Sequence, residues 1–229
     1  MKNFKLDMHV HTAEVSSCGR VKAEELAKLH HKKGYDGIVI TDHYYESFFY
    51  KQGDLNWEEK IENYLAGYYK AREVGQRLGL NVILGIELRF IDSPNDYLVY
   101  GITPEFLKEK VRLYHLGIKE FSHLVDQKDI LIYQAHPYRS GMERVEPELL
   151  DGVEAFNAQP RHNSRNRLAY QFAEENELKM ISGSDFHQRE DLDRGGIMLP
   201  REVTDSQELV QVLKEEEVEL ITTDDFTGF

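Results

Sequence analysis

The run Leu6-Asp7-Met8-His9-Val10-His11-Thr12 alternates apolar and polar side chains, the pattern of a β-strand with one face buried. Successive side chains of an extended strand point to opposite faces, so the spacing predicts Asp7, His9 and His11 on one side and Leu6, Met8 and Val10 on the other. Two imidazoles about 7 Å apart on one strand face are close enough to share an ion, and neutral imidazole is the commonest nitrogen ligand of zinc and related metals. Alone, a His-x-His describes an edge strand with two solvated histidines equally well. What decides is the chemistry the rest of the chain places beside it.

Outward from this stretch, strands and helices alternate. Residues 21–33 have helical spacing and end at Gly34; the strand Gly37-Ile38-Val39-Ile40-Thr41 stops in Asp42-His43. Residues 57–78 read as one long helix closed by Gly79, and Asn81-Val82-Ile83-Leu84-Gly85-Ile86-Glu87 is a nearly continuous apolar strand ending in a carboxylate. Residues 96–101 form a further strand, after which Thr103-Pro104 caps and starts a helix. Strands at 130–134, 152–156 and 178–182 lead into Ala135-His136-Pro137, Asn157 and Gly183-Ser184-Asp185-Phe186-His187. A helix is expected over 162–175, and short strands at 197–199 and 218–221 bracket a helix over 206–215. Repeated strand-then-helix order implies a parallel sheet, and the number of units favours a closed or nearly closed α/β barrel over an open doubly wound sheet.

With 229 residues, 41% of them hydrophobic, the chain has material for one substantial core, and residues 1–229 are expected to be a single domain. No apolar run approaches the ~20 residues needed to cross a bilayer. Met1-Lys2-Asn3-Phe4-Lys5 enters a strand rather than a signal peptide, and the single cysteine, Cys18, excludes an intramolecular disulfide. A cytoplasmic protein is the expectation. The net charge of −13 argues against broad binding to nucleic acid or anionic lipid, though divalent cations would offset it locally and admit an anionic substrate.

His43, Glu87, His136, Asp185 and His187 all fall at or just beyond the carboxyl end of an expected strand, the face on which barrels of this type build their active sites. With His9 and His11 they make seven potential ligands. That is too many for one tetrahedral zinc and suits two or three ions sharing a bridging carboxylate, for which Glu87 is placed. Ions about 3.5–4 Å apart lower the pKa of a bridging water and hold phosphoryl oxygens, so no side-chain nucleophile is needed. No Gly-x-Ser-x-Gly, Walker loop or Gly-x-Gly-x-x-Gly is present to support other chemistries.

Taken together, His9-Val10-His11-Thr12, Ile40-Thr41-Asp42-His43, Gly85-Ile86-Glu87, Ala135-His136-Pro137 and Ser184-Asp185-Phe186-His187 resemble the PHP superfamily, named for polymerase and histidinol phosphatase. The resemblance implies a distorted seven-stranded (β/α) barrel that holds two or three divalent ions (Zn, Mn or Fe) and hydrolyses phosphoesters by a metal-bridged hydroxide. It assigns His9, His11, Glu87 and Asp185 to a first metal, Glu87 and His136 to a second, and His43 and His187 to a third. Glu87 and Asp185 then sit closest to the chemistry.

The chain departs from that family in two places. Where members usually carry a His or Asp a few residues after His-x-His, it has Cys18; a thiolate ligates zinc, and a small loop cysteine reads the same way. After Glu87, where phosphatase members offer another His, it has Asp96, either a substitute ligand or a turn residue opening a strand. Asp42 is a candidate to orient an imidazole or a plain turn aspartate. Arg139 and, more loosely, Arg161 lie on loops over the same face and can pair with phosphate. His30 and His31 are explained by their place near a helix end. The sequence thus points to a metal-dependent phosphoesterase of a small phosphorylated substrate. Its rivals are a phosphotyrosine-protein phosphatase or oligonucleotide phosphodiesterase of the same family, a C–N-cleaving amidohydrolase, which commonly bridges its metals with a lysine, and a non-catalytic metal-stabilised binding module. Oligomeric state is not encoded in any feature of the sequence.

Overall fold

The computed structural model describes residues 3–223; Met1 and Lys2, part of the expected strand entry, lie outside them. The strands are β1 (Phe4–Val10), β2 (Gly37–Ile40), β3 (His43–Tyr44), β4 (Asn81–Arg89), β5 (Asp96–Tyr100), β6 (Leu131–Gln134), β7 (Gly152–Asn157), β8 (Lys179–Gly183), β9 (Gly196–Leu199) and β10 (Glu219–Ile221). The helices are α1 (Ala23–Lys32), α2 (Glu46–Tyr50), α3 (Trp57–Tyr64), α4 (Ala66–Leu78), α5 (Pro104–Glu109), α6 (Ile118–Val125), α7 (Asn166–Glu175) and α8 (Ser206–Glu215).

The strands form one sheet in the order β10-β9-β1-β2-β4-β5-β6-β7-β8, with β3 paired on β4. The seven strands from β1 round to β8 make a nearly closed barrel. Its seam is joined beyond β1 and β8, where Val10 bridges Phe186: Phe186 N–H donates to His9 O (3.1 Å) and His11 N–H to Phe186 O (3.0 Å). At the other end antiparallel β9 lies along Phe4, Lys5 and Leu6 of β1. This is the distorted TIM-like α/β barrel expected. No helix among the described residues is long and apolar enough to cross a membrane.

Three expectations need correction. The sheet is not all parallel: β5 runs antiparallel to both β4 and β6, because residues 90–95 reverse the chain directly with no crossover helix. The helix over 57–78 is two helices, broken at Leu65 (φ −81°, ψ −3°). The break lets α4 bring Gly67 against Thr12, where a Cβ would lie 2.2 Å from Thr12 Oγ1, so only glycine fits that approach. The helix over 162–175 starts at Asn166, because Arg165 before it is left-handed (φ 49°).

The alternation of β1 is also interrupted. Its pairing with β2 shifts register between Asp7 and Val10, a bulge that re-aims side chains. The Asp7 carboxylate consequently turns to His30 of α1 (3.3 Å) instead of sharing a face with His9 and His11. Leu6 and Met8 pack with Val39, Ile83, Leu98 and Tyr100 and with Leu209 and Leu213 of α8, whereas Val10 joins the larger cluster with Ile38, Ile40, Ile86 and the outer helices. Tyr44, Phe49, Trp57, Tyr64 and Tyr114 pack ring against ring in the core, while Tyr50 and Tyr69 are exposed.

Candidate metal centre

Register delivers most of the site. Parallel pairing of β3 with β4 sets His43 opposite Glu87, and antiparallel pairing of β4 with β5 sets Arg89 opposite Asp96. Because β5 is reversed, its first residue, Asp96, reaches the face where the parallel strands end. His136 follows β6, and Asp185 and His187 follow β8. His136 (φ 31°) and Asp185 (φ 49°) both have left-handed backbones, a conformation that non-glycine residues hold only when their surroundings enforce it. Buried carboxylates do so here. Glu154 Oε2 accepts from His136 N–H (3.0 Å), and Asp7 Oδ1 accepts from the N–H groups of Ser184 (3.0 Å) and His9 (3.2 Å).

Glu87, 1% exposed, is the hub. Its Oε1 lies 3.4 Å from His9 Nε2 and 3.2 Å from His136 Nε2; its Oε2 lies 3.6 Å from His11 Nε2 and 2.5 Å from His43 Nδ1. Asp185 Oδ1 faces His9 Nε2 (3.5 Å) and His11 Nε2 (3.4 Å), and its Oδ2 accepts from Arg139 (2.8 Å). Three groups have donor atoms within 4.8 Å of one another: His9-His11-Asp185, Glu87-Asp96-His136 and His11-His43-His187. Cys18 Sγ lies 3.0 Å from His43 Nε2 and 3.1 Å from His187 Nε2. All the candidate ligands therefore converge.

The neighbours fix proton positions. His9 Nδ1 is 2.9 Å from Glu154 Oε1, a pure acceptor, so the neutral ring carries its proton on Nδ1 and turns its Nε2 lone pair to Glu87 and Asp185. His11 Nδ1 is 3.2 Å from Ser16 Oγ, whose own hydrogen goes to Asp42 Oδ1 (2.7 Å), so Ser16 accepts and His11 Nε2 likewise offers a lone pair. Asp42 thus orients an imidazole through Ser16; it also accepts from the backbone and hydroxyl of Thr12 (both 2.7 Å). His9 Nε2, His11 Nε2, His43 Nδ1 and His136 Nδ1 are buried with no hydrogen-bond partner. Lone pairs facing carboxylate oxygens repel, and a buried polar atom without a partner costs about 1–3 kcal/mol. A cation between these carboxylates and the facing nitrogens of His9, His11 and His43 removes both penalties there, and mixed imidazole and carboxylate donors suit Zn, Mn or Fe.

The titration behaviour has the same origin. Burial alone would raise Glu87, but the imidazoles of His43 and His9 hold it well below the usual carboxylate range. Asp185, also pushed up by burial, is held well down by His9, His11, His187 and Arg139. Burial opposes protonation of His9, yet Glu154, Asp185 and Glu87 together raise it well above its ordinary value; burial and the neighbouring His187 and His43 lower His11. Burial lifts Asp42 to about 6 against its hydrogen bonds from Ser16 and Thr12. For Cys18, contacts to His187 and His43 overcome burial and lower the thiol to about 6.

Several supporting residues escaped the sequence reading. Glu154 is one, and its signal was legible: a lone carboxylate inside the apolar strand Gly152-Val153-Glu154-Ala155-Phe156 has to be partnered if buried. Tyr45 is another, donating to Asp96 (2.6 Å), which also pairs with Arg89 Nε (2.8 Å). Asp96 is therefore a buried member of the site and not a turn residue. His30 is fully buried between Leu26 O (2.8 Å) and Asp7, which its place near a helix end does not explain. Glu154→Gln is expected to lower metal affinity or turnover by about 10–100-fold. The amide could still accept from His9, but its NH2 would then face His136 N–H and the Asn157 amide, which now donate to Oε2. Metal titration of the variant checks this.

Arg139 reaches Asp185, Asn157 (2.9 Å) and Ser164 (3.2 Å) through one guanidinium nitrogen and keeps Nε buried without a partner. Arg161 is clamped by the buried Asp191 and lines a cavity of about 280 Å³ with Cys18, Arg20, His162 and His187.

The chain matches the family model of the PHP domain over residues 7–220. No curated protein matches it. In structure it resembles a two-domain protein from Bacteroides vulgatus described as containing a "predicted PHP-like metal-dependent phosphoesterase" (TM-score 0.70, 19% identity, 96% of this chain). It spans 65% of that protein's length. It also resembles PsfC from Pseudomonas syringae (TM-score 0.67, 16% identity, 98% of this chain and 93% of that one). A third likeness is an amidohydrolase from Chromobacterium violaceum with bound sulfate and no metal (TM-score 0.50, 14% identity, 81% and 89%). At these identities the structural likenesses establish the fold, and the family match over nearly the whole length settles the assignment. The chain belongs to the PHP domain family.

Proposed function

We propose that the chain is a metal-dependent phosphoesterase that hydrolyses a small phosphorylated molecule. The observation that carries this reading is the surroundings of Glu87, a buried carboxylate facing four imidazoles, two of which have their lone pairs turned inward by bonds on the opposite ring nitrogen. His9, His11, Glu87 and Asp185 would hold one ion, Glu87, His136 and Asp96 a second, and His43 and His187 a third. When bound, such cations supply Lewis acidity toward phosphoryl oxygens and make water acidic enough to attack at neutral pH.

The chain's own residues prepare the site. Glu154 and Ser16 keep His9 and His11 in the ligating tautomer. Arg139 neutralises Asp185 on one side and retains Nε–H as a buried donor for a phosphoryl oxygen. Arg161, held rigid by Asp191, faces the cavity beside Cys18 and His187 and would take the remainder of the substrate. A cavity of about 280 Å³ suits a compact leaving group better than a protein segment or an oligonucleotide. Glu87 stands at the centre of the imidazoles, where an amidohydrolase commonly bridges its metals with a lysine, which favours this reading.

Elemental analysis paired with hydrolysis of an aryl phosphate, with and without added Mn or Zn, tests the proposal. Two to three ions per chain and turnover restored by metal after chelation are expected. Metal bound without turnover on any phosphoester would leave a metal-stabilised binding module. Arg161→Ala is expected to raise KM about tenfold, some 1.4 kcal/mol of lost charge-assisted hydrogen bonding, with little change in kcat. Steady-state kinetics on the best phosphoester found would show it.

A further inference from the structure

Cys18 stands at the mouth of the site with its sulfur 3.0 Å from His43 Nε2 and 3.1 Å from His187 Nε2. His187 Nδ1 is 2.8 Å from Asp185 O, a carbonyl that only accepts, so the ring proton is on Nδ1 and Nε2 presents a lone pair to the sulfur. The His43 ring turns its Nε2 to the same sulfur, while its buried Nδ1 lies 2.5 Å from Glu87 Oε2 without making a hydrogen bond. One sulfur is thus shared by two imidazole nitrogens of the candidate ligand set. His11, fully buried with an Nε2 that has no hydrogen-bond partner, lies with His43 and His187 in one group of donors within 4.8 Å of one another, beside the sulfur's two contacts.

We propose that Cys18 is a thiolate ligand, completing with His43 and His187 a sulfur-containing metal site on the outer side of the cluster. This rests on the metal-dependent reading above and gives one position of that cluster a different ligand chemistry. A thiolate is a soft donor, so this position selects zinc or another thiophilic ion over manganese, while the oxygen-rich group of Glu87, Asp96 and His136 accepts harder ions. Mixed metal content within one chain follows. Substrate entering the arginine-lined cavity meets this ion first, because Cys18 and His187 form part of the cavity wall.

Cobalt substitution of the full chain tests the assignment by a readout other than turnover. Thiolate-to-Co(II) charge transfer absorbs in the near ultraviolet, and since Cys18 is the single cysteine, such a band has one possible source. The band is expected in the wild type and absent from Cys18→Ser, with circular dichroism confirming that the exposed substitution leaves the fold intact. Cys18→His is expected to bind cobalt without the band. A wild type that binds cobalt but lacks the band would overturn the thiolate while leaving the metal-dependent reading standing. A chain that binds no cobalt at all would overturn both.

Discussion

Glu87→Ala is expected to lower phosphoester hydrolysis by about 10³-fold or more and to remove at least one ion per chain. The expectation comes from the position of this carboxylate. Each of its oxygens faces two imidazole nitrogens, and among the described residues it is the only acidic side chain in contact with His9, His11, His43 and His136 together. Losing it removes the anionic partner the ions would share. Metal-derived stabilisation of a transition state amounts to several kcal/mol, and each 1.36 kcal/mol is a factor of ten in rate. Glu87→Gln keeps the volume but sets an NH2 group against nitrogen, so it is expected to fail nearly as badly. Both variants should be compared with the wild type by kcat/KM on an aryl phosphate and by ions per chain. Full metal content with undiminished turnover in Glu87→Ala would refute the role given to this residue.

Gly101→Ala is expected to destabilise the fold by about 3 kcal/mol while sparing the site. Gly101 follows β5 with φ 88°, and a Cβ there would lie 1.9 Å from Asp129 O and 2.9 Å from Asp129 C. The obstacle is backbone, which cannot rotate aside. Left-handed geometry costs a non-glycine residue about 1–2 kcal/mol and overpacking about 1–3 kcal/mol more. Relief by movement is blocked, because Gly101 N–H donates to Ser206 Oγ (2.7 Å) and that hydroxyl donates to Leu84 O (3.0 Å), tying α8 to the barrel. Urea denaturation should show a lower midpoint with an unchanged slope. Gly101 is separated from Asp96 by the length of β5, about 17 Å at 3.4 Å per residue, so turnover per folded molecule should hold. An unchanged midpoint would contradict the close approach.

The sequence carried the barrel and most of the donors because both follow from rules that act locally. An apolar run such as Asn81-Val82-Ile83-Leu84 cannot lie exposed, and the residues ending such runs share a face. What it concealed depends on pairing. The reversal of β5 left no mark in composition, since a strand reads the same in either direction. Asp96 consequently sits at the wrong end of its strand for a rule based on carboxyl termini, although it belongs to the site. The bulge in β1 was hidden for the same reason: Leu6 to His11 alternates perfectly, and only the register against β2 shows that Asp7 turns outward to His30. Glu154 was the avoidable omission, because an ionised group in an apolar strand announces a buried partner without any knowledge of topology.

β1, the strand bearing the first donors, is flanked by β2 on one side and β9 on the other: Leu6 pairs with Gly37 and with Ile197. One partner is near in sequence and the other is about as remote as the barrel permits. During folding the near edge zips early, whereas the far edge waits for a loop of nearly the whole barrel to close, an entropic cost borne before any contact rewards it. Until then a strand carrying Phe4, Leu6 and Met8 presents unpaired backbone groups, the condition under which edges associate between chains. The same arrangement that seats His9 and His11 at the seam therefore makes ligand assembly a late event in folding, and leaves the nascent strand dependent on its most distant neighbour for protection.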